Sequence, residues 1–194
     1  MDVYAEAVER FRRLYAEAQE LDIPEPTAMS LATVDADGRP SVRTVLLKAF
    51  DERGFVFYTN KQSRKGRALK ATGRAALCFH WQPLMQQVLV EGEVEDVTDA
   101  EAEAYWASRV RLSQIGAWAS EQSGTMPDKD ALQRRFHEFE RKFEGKPVPR
   151  PPHWSGFRIK PDTIEFWSAR PGRLHERERY KRIDGAWAHA WLYP

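Results

Sequence analysis

Between Arg43 and Lys70 the chain reads RTVLLKAFDERGFVFYTNKQSRKGRALK, and four of its cations sit where they could grip an anion. Along an extended strand alternate side chains share a face, so Thr44, Leu46 and Lys48 fall on one side and Arg43, Val45 and Leu47 on the other. A lysine on the face of Leu46 is not what a simply buried face carries. Further on, Asn60 or Ser63 can cap a helix whose first turn holds Arg64 and Lys65. Free N–H groups with two cations beside them suit a phosphate. The plainer reading is an ordinary hairpin, turning at Asp51-Glu52-Arg53-Gly54, that runs into a solvated basic helix. Taken alone, the stretch favours the plainer reading.

The rest of the chain adds cations beside aromatics and amides. Tyr105, Arg109 and Ser113 follow one another at intervals of four, which on a continuous helix is one face offering a charge and two hydroxyls. A helix surface with a satisfied tyrosine fits the same spacing. Gln87, Gln122 and Ser123 offer donors and acceptors of the kind a heteroaromatic edge needs. Arg173, His175 and Arg177 share a face if RLHER is extended, a cationic face that calls for an anion. Common catalytic signatures are missing. There is no glycine-rich dinucleotide fingerprint, Gly145-Lys146 lacks the upstream glycine of a P-loop, and no serine sits in a nucleophile elbow. Scattered histidines and a single cysteine argue against a zinc site.

The elements that must position these residues follow from pattern. At 194 residues the chain is long enough for one well-buried core. A net charge of +1, with both signs mixed, argues against a nucleic-acid protein held by bulk electrostatics. No stretch is apolar enough for a membrane span, and Cys78, in the apolar run AALCF, reads as a buried, inert thiol in a reducing cytoplasm. Asp2 to Glu20 has helical spacing, ended by Pro24 and Pro26. Met29 to Thr59 reads as three consecutive antiparallel strands; Arg74 to Trp81 and Gln86 to Val97 are two more. Five strands with short connections predict a small closed or nearly closed barrel. Thr98 to Glu101 is a capping box, and helices are expected through Tyr105 to Arg109, near Ser113 to Ser120, and from Asp128 to Glu144. The last carries an apolar stripe of Leu132, Phe136, Phe139 and Phe143. After the proline-rich VPRPPHW, short strands are expected at Phe157 to Ile159, Thr163 to Trp167 and Trp187 to Leu192.

RTVLLK, GFVFYTN, SRKGRAL, QVLVEG, SQIGAWASEQS, VPRPPHWSGFRI, IEFW and RLHERERY stand in this order along the chain. In these motifs the sequence resembles the pyridoxamine 5′-phosphate oxidases over nearly its whole length from about Pro26. The resemblance implies a mainly β fold with flanking helices (α+β), an FMN-binding split β-barrel of Greek-key type, working as a homodimer with FMN at the subunit interface. It implies one domain over 1–194: an N-terminal helix at 1–23, barrel core at 27–97, a helical segment at 98–145, and C-terminal strands at 146–194 that complete the barrel and the dimer site.

By that resemblance, Arg43, Arg64 and Lys65 hold the FMN phosphate, with Gln122 and Ser123 helping from the partner subunit. The flavin ring lies against Arg43, Thr44, Val45, Leu46, Leu47 and Lys48 and against Tyr58 and Thr59, with Gln87, Trp167 and Arg177 also in its site. Lys48, Tyr105, Arg109 and Ser113 bind the substrate phosphate. Arg173 and His175 cover the substrate ring and are the catalytic pair. The implied reaction oxidises pyridoxamine or pyridoxine 5′-phosphate to pyridoxal 5′-phosphate with O2, giving peroxide, in the cytoplasm, with neither nucleic acid nor membrane as partner. Three departures are visible. The family's frequent N-terminal arm falls before the start of this chain, Val110 stands where many members have proline, and the usual terminal arginine is replaced at Trp191. They bear on how the substrate is closed in, not on the flavin residues. Two other functions fit part of the pattern: a sibling flavin oxidase of the phenazine-pathway type, and a non-catalytic flavin or pyridoxal-phosphate binder. The first has no use for a second phosphate grip; the second has none for Arg173 and His175.

Overall fold

Phe11 is where the core closes. A computed structural model describes residues 2–194, and in it helix α1 (Val3–Glu20) buries Ala7, Val8, Phe11 and Ala18 on one face. Phe11 is fully buried and meets Phe50, Phe55 and Phe79 edge-on at 4.9, 4.8 and 5.0 Å. Edge-to-face packing of this kind adds roughly 0.5–1.5 kcal/mol per pair to the burial itself.

The strands are β1 (Ala28–Val34), β2 (Pro40–Leu46), β3 (Ala49–Asp51), β4 (Gly54–Asn60), β5 (Arg74–Trp81), β6 (Gln86–Asp96), β7 (Trp154–Ser168), β8 (Glu176–Ile183) and β9 (Ala186–Leu192). They pair antiparallel in the order β2-β1-β5-β6-β7-β4-β3. Because β2 and β3 are consecutive in the chain, that order closes on itself as the expected barrel. The predicted run of three simple strands from Met29 to Thr59 is corrected here: the middle strand breaks at Leu47 and Lys48. The Leu47 N–H donates to the Thr27 carbonyl, and the Lys48 N–H to the Val56 carbonyl, so the chain changes partner across one peptide. The tight turn closing β3 onto β4 requires Gly54, whose φ is +130° and whose place a Cβ could take only 2.1 Å from the Ile159 carbonyl oxygen.

Two further expectations change. Phe157 to Ile159 and Thr163 to Trp167 are not separate strands but parts of the single fifteen-residue β7. Pro161 is absorbed by a register shift between Glu91 and Gly92 on β6; a Cβ at Gly92 would meet the Lys160 carbonyl oxygen at 2.0 Å. The arginine-rich stretch after His175 is a strand, β8, which pairs with the second half of β7 and carries β9 outward.

Four helices flank the barrel. Helix α2 (Arg64–Thr72) is capped by Ser63, whose hydroxyl accepts from the Gly66 N–H. The predicted capping box opens α3 (Asp99–Ser108), and α4 (Arg111–Ala119) and α5 (Ala131–Lys142) follow. A second apolar cluster joins Trp106, Ile115, Phe143, Val148 and Trp154, with Tyr58, Tyr105, Phe136 and Phe139 against it; Leu132, the first residue of the expected stripe, is exposed. Cys78 is half-buried rather than buried. It lies opposite Ser30, while its neighbours Leu77 and Phe79 point into the core.

Candidate active site

The break between β2 and β3 turns successive side chains in opposite directions. Leu47 is buried in the core, whereas Lys48 projects into a cleft of about 480 Å³ lined also by Thr44, Val45, Leu46, Tyr58 and Thr59. Of the expected ring-binding stretch, Leu47 therefore offers only backbone. The same cleft is lined by Tyr105, whose ring stacks on Tyr58 at 4.1 Å, by Arg109, Val110 and Ser113, and by Lys65 and Gln122.

Beside Lys65, Arg43 and Arg64 bring two more cations to the start of α2. Lys65 is only 8% exposed, yet its ammonium meets neutral oxygens alone: Thr59 Oγ1 at 3.0 Å, Gln122 Oε1 at 3.1 Å and Ser63 Oγ at 3.3 Å. Burial, with the nearby Arg43 charge adding to it, lowers its pKa to about 8. Arg43 lies on the inward face of β2, where its guanidinium donates to Thr33 Oγ1 at 2.7 Å and the Leu31 carbonyl at 3.2 Å. Its pKa is drawn down by burial and then by Arg64. The Arg64 N–H donates to Ser123 Oγ at 3.1 Å. The loop carrying Gln122 and Ser123 thus reaches α2 of its own chain, which corrects the expectation that a partner supplies these two. Ser123 adopts φ +74°, a left-handed conformation that turns its hydroxyl toward α2.

Tyr105, Arg109 and Ser113 are brought together, but not by the continuous helix that their spacing predicts. Helix α3 ends at Ser108, Arg109 and Val110 are extended, and α4 starts at Arg111. The kink turns Arg109 back so that it donates to the Ser113 carbonyl at 3.0 Å. Burial lowers the Arg109 pKa, and Tyr105 opposes that effect. Among the described residues, Arg43, Lys48, Arg64, Lys65 and Arg109 form no ion pair with a carboxylate, whereas Arg53, Arg150, Arg158, Arg170 and Arg177 all do. Uncompensated cations gathered in a cleft, one of them buried, form a receptor for anions.

The remaining expected residues are elsewhere. Gln87, Trp167 and Arg177 stand in one cross-strand row over β6, β7 and β8, and β7 is reached from β2 through β1, β5 and β6 one way round the barrel and through β3 and β4 the other. The expected extended face of Arg173, His175 and Arg177 does not form. Arg173 ends a short 3-10 turn (Pro171–Arg173) with φ +61°, His175 lies against the Trp167 ring at 4.6 Å, and only Arg177 is in β8. Nor does Arg177 need an added anion: its guanidinium grips the Glu165 carboxylate at 2.8 and 3.1 Å. None of Gln87, Trp167, Arg173, His175 and Arg177 is among the residues that line the cleft holding Lys48 and Lys65. Sequence reading passed over Thr33 and Ser41, which hold Arg43, and Trp154, which lies under Arg109; the aromatic that closes PPHW was the available signal.

Residues 14–143 match the family model described as pyridoxamine 5′-phosphate oxidase, and residues 154–194 match that described as the pyridoxine 5′-phosphate oxidase C-terminal dimerisation region. The chain belongs to the pyridoxamine 5′-phosphate oxidase family. A pyridoxine/pyridoxamine 5′-phosphate oxidase of Myxococcus xanthus is 58% identical over 187 residues, covering 96% of this chain and 91% of that one. A protein of the same name from Alkalilimnicola ehrlichii is 54% identical over the full length of both. Among solved structures, PhzG from Burkholderia lata 383, in complex with tetrahydrophenazine-1-carboxylic acid, superposes with a TM-score of 0.91 at 35% identity, covering 96% of this chain and 92% of that one. In this oxidase family member the second match falls on β7, β8 and β9, so the strands carrying Trp167 and Arg177 belong to its dimerisation region.

Proposed function

We propose that the protein is an FMN-dependent oxidase that converts pyridoxamine 5′-phosphate or pyridoxine 5′-phosphate to pyridoxal 5′-phosphate, with O2 as acceptor and H2O2 as second product. The observation that carries this reading is two groups of cations without carboxylate partners around one cleft, Lys65 with Arg43 and Arg64, and Lys48 with Arg109. Two separate phosphates, one on the cofactor and one on the substrate, account for both. The buried Lys65, with only neutral oxygens around it, fits a cofactor phosphate held together with Arg43, Arg64 and Ser123. Lys48, Tyr105, Arg109 and Ser113 then take the substrate phosphate.

The chemistry that FMN supplies when bound is two-electron oxidation of the substrate and return of the electrons to oxygen. The protein's part is to bind and orient. The stretch from Thr44 to Lys48, which lines the same cleft as both grips, would support the flavin ring and orient it toward the substrate. Gln87, Trp167 and Arg177 come from the partner copy, so that FMN lies at the subunit interface, and Arg173 and His175 of that copy cover the substrate ring. Glu165 holds Arg177 in place for this role. A cytoplasmic location goes with this reading.

Aerobic turnover of pyridoxamine 5′-phosphate by the FMN-loaded dimer, followed by aldehyde absorbance and peroxide, is the direct test. Flavin bound without turnover would overturn the proposal. The likeness to PhzG makes a tetrahydrophenazine carboxylic acid the competing substrate to assay beside it. That compound has no phosphate and offers Lys48, Tyr105, Arg109 and Ser113 only a singly charged carboxylate.

A further inference from the structure

Arg109 is half-buried and faces no carboxylate, yet its geometry is fixed. Its guanidinium carbon lies 4.7 Å from the centroid of the Trp154 ring and 5.5 Å from that of Trp106. The two indoles meet at 66° with centroids 4.9 Å apart, and so form a corner into which the guanidinium fits. Trp154 is itself immobilised. It is 3% exposed, its backbone N–H donates to the Pro151 carbonyl at 3.0 Å, and its carbonyl accepts from Arg150 at 2.9 Å. Arg150 is in turn clamped to α3 by Asp99 and Glu103. Trp154 also lies almost parallel to Tyr58 and Tyr105, at 5.5 and 6.0 Å, while those two rings stack on each other at 4.1 Å.

We infer that Trp154 is a positioning residue of the substrate-phosphate grip, holding Arg109 by its ring face and Tyr105 through the aromatic stack. The inference rests on the reading of the cleft given above. A carboxylate would orient Arg109 as well, but it would compete with the phosphate for the same N–H groups. The face of an indole attracts a guanidinium through its quadrupole and leaves the N–H edge free for a ligand. Such a contact is favoured where water is excluded, and Trp154 and Trp106 are both buried.

The test compares FMN-loaded Trp154→Leu and Trp154→Phe with the unaltered dimer in steady-state oxidation of pyridoxamine 5′-phosphate, with FMN titration and thermal melting alongside. Loss of the ring face should raise KM roughly five- to thirty-fold in Trp154→Leu, and by less in Trp154→Phe, which keeps a smaller aromatic face. The kcat should stay within about twofold and FMN affinity should not change, because the grip acts on substrate binding and not on the chemical step. Unchanged KM in Trp154→Leu would overturn the inference, as would a joint fall of kcat and FMN affinity. If Trp154→Leu melts below the assay temperature, Trp154→Phe decides by the same split. Calorimetric binding of inorganic phosphate reads the grip independently of turnover. An unaltered protein that binds phosphate and FMN but oxidises nothing overturns the functional proposal alone; equal phosphate binding by all three proteins overturns this inference alone.

Discussion

The ammonium of Lys65 lies 3.1 Å from Oε1 of Gln122, and this contact ties the first turn of α2 to the loop that follows α4. The bond is between a buried cation and a neutral amide, so it orients Lys65 without neutralising it. In the flavin-free protein Lys65 titrates at about 8, against an ordinary value of 10.5. Between those two values the folded chain binds fewer protons than the unfolded chain, so flavin-free stability should rise across this window. FMN binding restores the charge and takes up a proton. Affinity should therefore fall by up to about tenfold per pH unit above pH 8. Fluorescence titration of FMN from pH 7 to 10 measures this, and Lys65→Met should flatten the profile while weakening binding throughout. A flat profile in the unaltered protein would rule out Lys65 as the cofactor-phosphate contact.

Lys48 should separate substrate binding from cofactor binding. Its side chain enters the cleft from the β2–β3 corner, while its N–H is committed to the Val56 carbonyl and is untouched by substitution. Removing one charge-assisted hydrogen bond of about 1.5–3 kcal/mol in Lys48→Met should raise KM for pyridoxamine 5′-phosphate by roughly ten- to a hundredfold. FMN content and melting temperature should stay near those of the unaltered protein. Parallel loss of flavin would mean that the two phosphate grips are wrongly divided.

Val110 stands at a position that is already shaped for proline. Its φ of −63° suits the pyrrolidine ring, and Arg109 before it is extended at φ −74°, ψ 142°, as a residue preceding proline prefers. It opens α4, where a missing N–H costs nothing in helix bonding. Val110→Pro should stabilise the protein by about 0.4–1 kcal/mol through the unfolded chain, measured as a shift in denaturant midpoint at constant slope. Destabilisation would show that the Arg109–Val110 kink moves in solution.

What could be read in the chain beforehand was what local pattern encodes. The helical period of α1, the alternation of β6 and the capping box at Thr98 depend on neighbours in sequence, and all three are present in the fold. Lys48 stood out for the same reason, since a lysine breaks the alternation of its strand. The β2–β3 break could not be seen, because RTVLLKAF reads as one strand and only pairing with two distant partners divides it. Pro161 was a misleading signal: alone it ends a strand, but Gly92 opposite it gives room for the shift that lets β7 continue. In ERERYKRI, the inward residues of β8 are Glu178 and Tyr180, so an apolar alternation never shows. Glu178 is accepted inside because Arg10, His189 and the Tyr180 hydroxyl surround it. Likewise, the contact of Arg109 with Trp154 joins residues far apart in the chain, and no spacing rule covers it.

The proposed division of the site between two copies has a sharp consequence for mixed dimers. Lys48 lines the cleft, and Arg173, in the short turn after β7, is not among its lining residues. If each complete site takes Lys48 from one copy and Arg173 from the other, homodimers of Lys48→Met or Arg173→Ala carry a defect in every site. A heterodimer of the two gathers both defects into one site and leaves the other intact. With substrate held below the KM of the unaltered enzyme, where Lys48→Met turns over little, co-refolding equal amounts should give half heterodimers, and so roughly a quarter of the activity of the unaltered protein, from two preparations that are each nearly inactive. Separately tagged chains allow the heterodimer to be isolated, where activity should approach half per dimer, with a KM matching that of the unaltered enzyme. A site built within one chain predicts no recovery at any mixing ratio, because every subunit would still carry a lesion.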